Sequence, residues 1–227
     1  MHPFDSTPRR GFLARLAGAA ALAAGPSIPF GALAAQATDH DRWITGLKGR
    51  HRCLFDFPLH AGGLPLIHMY NYVNTYKAAY SEPNAAVNAV GTFYGPPGET
   101  ASIPLAWNDA MWEKYKLGAY LNLEDPKTKA PSIRNMFYAP QSGDPVLFGG
   151  AFAAAGIANL QKMGSTFLLC NNALGLLVGQ LAQQSGGTAA AVSADLKANM
   201  LPGVVLVPAM VIAIEKAQQK GIAYNKQ

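Results

Sequence analysis

The stretch TFLLCNN, Thr166 to Asn172, closes an apolar run on a thiol. A strand that ends on cysteine puts the sulfur at the carboxyl edge of a parallel sheet, where ligands and reactive groups gather in α/β folds. Two uses are open to Cys170. With a helix N-terminus following it and Asn171 and Asn172 offering hydrogen bonds, it suits a thiolate nucleophile. As a small apolar side chain it would only fill space. His60 follows a second short apolar run, RCLFDF, by three residues and precedes Gly62 and Gly63. An imidazole at the same edge can shuttle protons or assist a neighbouring thiol, whereas a loop histidine bonded to backbone does neither. Glu99, after the turn GPPG, also reaches this edge, and the helix dipole alone would explain an acid there. The candidate catalytic residues are therefore Cys170 and His60, with Asn171, Gly62, Gly63 and Glu99 as candidate binding positions.

Several chemistries lack their residues. His60, His68 and Glu99 match no metal-ligand spacing, and His68, beside Tyr70 and Tyr72, reads as helix packing or surface. Gly149, Gly150 and Gly156 lack the lysine and hydroxyl of a phosphate loop, and no Gly-x-Ser-x-Gly elbow occurs. No Cys-x-x-Cys, haem attachment or zinc spacing is present, so nothing calls for a metal or cofactor. The only other cysteine, Cys53, lies inside the first strand as a small hydrophobe. An oxidising compartment would also permit a structural Cys53–Cys170 disulfide.

The elements that must position these groups alternate. Arg52 to Phe57 reads as a strand stopped by Pro58, and GGLPLIHMYNYVNTYKAAY as a glycine turn leading into a helix with Leu66, Tyr70 and Val73 on one face. Ala85 to Gly95 reads as a second strand, and Ala101 to Leu121 as a helix. Ala151 to Gly164 reads as another helix capped by Gly164, followed by the strand STFLLC. Two helical stretches to Asn199, the strand LPGVVLVP, a helix from Ala209, a Gly221 stop and a short last strand complete the chain. Strands separated by helices imply a three-layer α/β fold with a mostly parallel sheet covered on both faces. Between Asn122 and Gly149 the composition turns to Pro, Lys, Asp, Ser and Gly, which predicts an inserted loop acting as a lid or assembly arm.

The N-terminus reads as an address. Arg9 and Arg10, then Phe12 and Leu13, resemble a twin-arginine export signal, and Ala35-Gln36-Ala37 supplies a small-x-small cleavage site. Residues 1–37 are thus expected to be a signal peptide read by the twin-arginine export machinery, leaving a single domain over 38–227 in the periplasm or otherwise exported. Gly25, Pro26 and Pro29 interrupt the apolar segment, so no stable membrane span is expected after cleavage. The chain carries 18 Lys and Arg against 13 Asp and Glu. Removing Arg9, Arg10, Arg15 and Asp5 leaves a small, dispersed positive balance, which argues against a nucleic-acid partner.

LQKMGSTFLLCNNAL followed by LPGVVLVPAMVIAIEKAQQKGIAY resembles the DsrE/DsrF-like sulfur-relay family over about Leu160 to Tyr224. The shared order is a helix ending in glycine, a strand ending in cysteine, a Leu-Pro-Gly-Val strand and a Gln-rich helix leading to Gly-x-x-Tyr. The resemblance implies a compact α/β fold, homo- or hetero-oligomers, and a cysteine at the position of Cys170 that carries sulfur as a persulfide. The leading expectation is sulfur binding or transfer through Cys170, with a sulfur donor or acceptor protein as partner, His60 as the candidate neighbour assisting the thiol from the same sheet edge, and Asn171 positioning the site. Export and the 122–149 segment depart from the family pattern. The competing expectation is a noncatalytic periplasmic binding or assembly module of the same fold, using MYNYVNTYKAAY and the middle loop to hold a partner.

Overall fold

A computed structural model describes residues 40–227, so the signal peptide expected over 1–37 lies outside the described residues. Five strands form one sheet: β1 (His51–Asp56), β2 (Val87–Phe93), β3 (Thr166–Cys170), β4 (Val204–Val207) and β5 (Ala223–Lys226). They are all parallel, in the order β4-β3-β2-β1-β5. The apolar runs that predicted strands end up in the middle, where β2 and β3 are buried on both faces; β5, at one edge, is exposed throughout.

Among the described residues eight helices connect and cover the sheet: α1 (Arg42–Gly46), α2 (Leu64–Tyr80), α3 (Asp109–Lys114), α4 (Leu117–Tyr120), α5 (Ile157–Lys162), α6 (Asn171–Ser185), α7 (Ala189–Ala198) and α8 (Met210–Gln219). From β1 to β4 each connection steps one strand in the same direction. The last, through α8, returns across the sheet to the far side of β1. Right-handed crossovers then put α2, α5, α6 and α7 on one face and α8 on the other. Contacts of β1 agree: Phe55 packs edge-on to Tyr72 of α2 at 5.5 Å, while Arg52, on the opposite face, donates to the carbonyl of Lys220 just after α8 at 3.2 Å. Among the described residues no helix is long and apolar enough to cross a membrane.

Two predicted helices are broken. Ala101 to Leu121 becomes a 3-10 turn (Ile103–Ala106), α3 and α4, because Pro104 enters the turn, Asn108 caps α3 by accepting from the Met111 N–H at 3.2 Å, and Lys116 takes a left-handed conformation. Ala151 to Gly164 keeps only a 3-10 turn (Ala153–Ala155) and α5, with the extended ψ of Gly156 between them. The segment 122–149 forms no strand or helix, yet it is packed rather than free. Met136, Phe137, Val146 and Leu147 are buried in the core. The Asn135 amide donates to the carbonyls of Leu105 and Trp107 at 3.0 and 2.8 Å, and the Arg134 guanidinium pairs with the fully buried carboxylate of Asp144. Buried side chains and these side-chain bonds thus anchor the segment to the rest of the domain.

Candidate functional site

The carboxyl ends of β3 and β4 are where neighbouring strands send their chains to opposite faces, into α6 and α8 respectively. Such a switch point opens the crevice that binds ligands in doubly wound sheets. Cys170 stands there. It is the N-cap residue of α6, and its Sγ accepts a hydrogen bond at 3.4 Å from the N–H of Met210, the first residue of α8. Two helix N-termini thus meet at one sulfur, a setting that suits negative charge. Cys170 is 5% exposed, so the sulfur lies just inside the surface.

The sheet sets its neighbours. One residue past the paired stretch of β2 and β3, Tyr94 lies directly beside Cys170, on the α8 face. Its backbone is held on both sides by the buried Ser102 hydroxyl, which accepts from the Tyr94 N–H at 3.1 Å and donates to the Tyr94 carbonyl at 3.0 Å. Its own hydroxyl donates to Asp56 Oδ1 at 2.7 Å. Asp56 ends β1 and is 2% exposed, and its Oδ2 accepts from the Tyr224 hydroxyl at 2.7 Å and from Lys226 Nζ at 2.9 Å, both on β5. Cys170, Tyr94, Asp56, Tyr224 and Lys226 therefore run across adjacent strands on one face.

Gly95 shapes this row. Its φ of +113° suits glycine, and a Cβ there would lie 2.3 Å from the carbonyl oxygen of Pro58. Gly95→Ala should lower stability by roughly 2 to 3 kcal/mol in chemical denaturation, from backbone strain and the clash together. An unchanged midpoint would mean the turn can be rebuilt without this close approach.

Electrostatics keep the tyrosines neutral. Burial first, then the Asp56 bond and charge, and then the charges of Tyr224 and Cys170, push the Tyr94 hydroxyl well above the ordinary tyrosine range. The bond to Asp56 takes Tyr224 up to about 12. An unfolded chain releases these protons near pH 10, so the stabilisation is complete below that pH and is lost as pH climbs through the raised native values. Phenolate absorbance should accordingly rise in two waves among the nine tyrosines, with Tyr94 and Tyr224, joined by the also raised Tyr72, Tyr115 and Tyr120, in the later one. A single wave near the unperturbed value would show that the Asp56 bonds do not persist in solution.

The sequence-derived positions divide. Cys170 and Asn171 fall at the switch point, Asn171 in the first turn of α6. His60 is bound to the loop instead: Nδ1 accepts from the Gly62 N–H at 3.1 Å and Nε2 donates to the Glu99 carbonyl at 3.0 Å. Both ring nitrogens are thus occupied by backbone, and the Cys170 sulfur is not among their partners. Burial holds the His60 imidazole below its usual range, against the opposing effect of the Glu99 bond. Gly62 and Gly63 take positive φ to turn the chain into α2, and Gly62 meets the N–H of Leu147 with its carbonyl at 2.7 Å. Glu99 is exposed, starts no helix, and holds the His60 ring through its carbonyl. His68 bonds the Gln227 side chain. Asp56, Tyr94, Tyr224 and Lys226 were not singled out from the sequence as site residues, although a carboxylate between two phenylalanines near the end of RCLFDF was a visible anomaly.

Cys53 and Cys170 are both free thiols. They stand two strands apart and five residues along the sheet, roughly 19 Å at ordinary strand spacing, too far for a disulfide. Burial pushes the Cys53 thiol up to about 11, as expected of an inert core cysteine.

No family model matches the chain, and no curated protein matches it. Among solved structures it is similar to a protein of unknown function from Methanobacterium thermoautotrophicum, at 15% identity and a TM-score of 0.39, over 78% of this chain and 99% of that one.

Proposed function

We propose that this is an exported DsrE-like protein that takes up sulfane sulfur on Cys170 as a persulfide and hands it to an acceptor. The observation that carries the reading is the place of the sulfur: at the switch point of the sheet, between the N-termini of α6 and α8, with the Met210 N–H on Sγ. The likeness of Leu160 to Tyr224 to sulfur-relay proteins supports it, and the three-layer α/β fold is compatible with it.

The chemistry asks little more of the protein. The Cys170 thiolate attacks the outer sulfur of a polysulfide or persulfide donor, the new S–S bond forms as the donor's breaks, and the donor leaves as a thiolate with the electron pair. An acceptor thiolate then attacks the outer sulfur of Cys170, which leaves as the thiolate it began as. No net oxidation occurs in either step. The helix N-termini favour the anion at each stage, and Tyr94 lies beside the sulfur without adding charge.

The purified protein, incubated with polysulfide and desalted, should release about one equivalent of thiocyanate per chain when treated with cyanide, which removes the outer sulfur of a persulfide. Protein whose thiols were blocked beforehand should release none. Equal release from blocked and unblocked protein, or none from either, would leave no carrier. A partner-binding module then becomes the better reading, with the exposed Leu176, Val211 and Ile212 near the N-termini of α6 and α8 as its contact residues. The aromatic segment serves that reading less well, because Tyr72 and Tyr76 pack against Phe55 and His51 and leave Tyr80 as its exposed ring.

A further inference from the structure

Two groups that can carry negative charge lie buried on the same face of the sheet: the Asp56 carboxylate at the end of β1 and the Cys170 sulfur at the end of β3. The strand register puts their Cα atoms roughly 12 Å apart. At the effective dielectric of such sites, two unit charges at that separation repel enough to move a titration by about one pH unit. A carboxylate left bare there would oppose ionisation of the thiol.

Asp56 is not bare. Lys226 supplies a full positive charge at 2.9 Å, and Tyr94 and Tyr224 each donate a hydroxyl at 2.7 Å. The lysine comes from the exposed edge strand β5, which needs no charge on the sheet side for burial's sake and whose Asp56 contact is the link back to the site row. The other elements packed around Cys170 add little charge. α6 has no ionisable side chain, and β4 presents Val207 opposite Cys170. In α8 the ionisable residues are Glu215 and Lys216, beyond its first turn, with Lys216 engaged by Asp41. Beyond Tyr94 the loop carries Glu99, exposed, and His60, neutral and bonded to backbone. The Asp56 and Lys226 pair is therefore the charge balance nearest the sulfur on its own face.

We propose that Lys226 is a positioning residue for Cys170: by neutralising Asp56 across the sheet, it allows the buried sulfur three strands away to become a thiolate. Lys226 touches neither sulfur nor substrate. Its action passes through Asp56, with Tyr94 filling the space between the carboxylate and the thiol. The inference builds on the proposed carrier function, for which thiolate formation is the first requirement.

The test reads thiolate formation without sulfur transfer. The rate of Cys170 alkylation by iodoacetamide is measured against pH by peptide mass spectrometry, in the unsubstituted protein and in Lys226→Gln and Lys226→Arg. Lys226→Gln should shift the inflection upward by a few tenths of a pH unit, since the lysine is half exposed, and Lys226→Arg should return it. A purely structural role would change the melting temperature without moving the inflection. Superimposable profiles for Lys226→Gln and the unsubstituted protein overturn the proposal, as does a shift that Lys226→Arg fails to reverse. Because alkylation needs no sulfur donor, a shifted profile in a protein that never loads sulfur would uphold the charge balance and remove the carrier reading. Sulfur loading with unshifted profiles would do the reverse.

Discussion

Asp56→Ala should destabilise the protein by roughly 3 kcal/mol, the largest stability loss expected of any single substitution in the site row. The carboxylate is 2% exposed and accepts three hydrogen bonds, two from tyrosine hydroxyls and one from an ammonium. Bonds to a charged acceptor contribute more than neutral ones, and truncation leaves a small cavity and a half-buried Tyr94 hydroxyl without its partner. Lys226 contributes a minor share, since its side chain is 54% exposed and water competes for it. Lys226→Gln should thus cost well under 1 kcal/mol, and the contrast between the two variants is the informative result. Urea denaturation monitored by tryptophan fluorescence measures both. Equal, small losses would mean that the carboxylate is solvated in solution and does not organise the row.

Cys170→Ser should reduce sulfur loading to background, while Cys53→Ser leaves it intact. Serine preserves size and hydrogen bonding but cannot form a stable bond to sulfane sulfur, so the chemistry is removed with little disturbance of the Met210 N–H contact. Cys53 is the built-in control: it is buried between β2 and β5 in the sheet and its thiol is held up to about 11, far from the thiolate that loading requires. Quantifying cyanide-labile sulfur in the two variants decides the matter. Loading that survives Cys170→Ser would detach the function from this cysteine.

Much of the architecture was legible because the apolar runs are short and end abruptly. RCLFDF stops at Pro58, TFLLC at two asparagines, and GVVLVP at a proline, and each became a parallel strand close to its expected limits. Connections were read less well. The pattern from Ala101 to Leu121 has helical composition throughout, but its breaks depend on a cap and a left-handed lysine that only the tertiary fold selects. The irregular stretch from 122 to 149 has no periodicity to read, because its order comes from single long-range bonds such as those of Asn135 and Arg134.

The site was half visible for a related reason. The position of Cys170 follows from local sequence, a strand and then a helix, and this was enough to single it out. Its neighbours follow from strand order, which local patterns do not encode. Tyr94 adjoins Cys170 because β2 pairs with β3, and Lys226 reaches Asp56 because the last strand returns beside β1. His60 follows the end of β1 closely in sequence, yet its ring is turned into its own loop by Gly62 and Glu99.

The most direct measurement of the carrier function is peptide mass spectrometry of the purified protein after exposure to polysulfide, before and after a reductant. The expected result is a mass increase of one sulfur atom on the peptide containing Cys170, absent from the Cys53 peptide and removed by dithiothreitol. An accessible Cys170 that alkylates readily but gains no sulfur would contradict it.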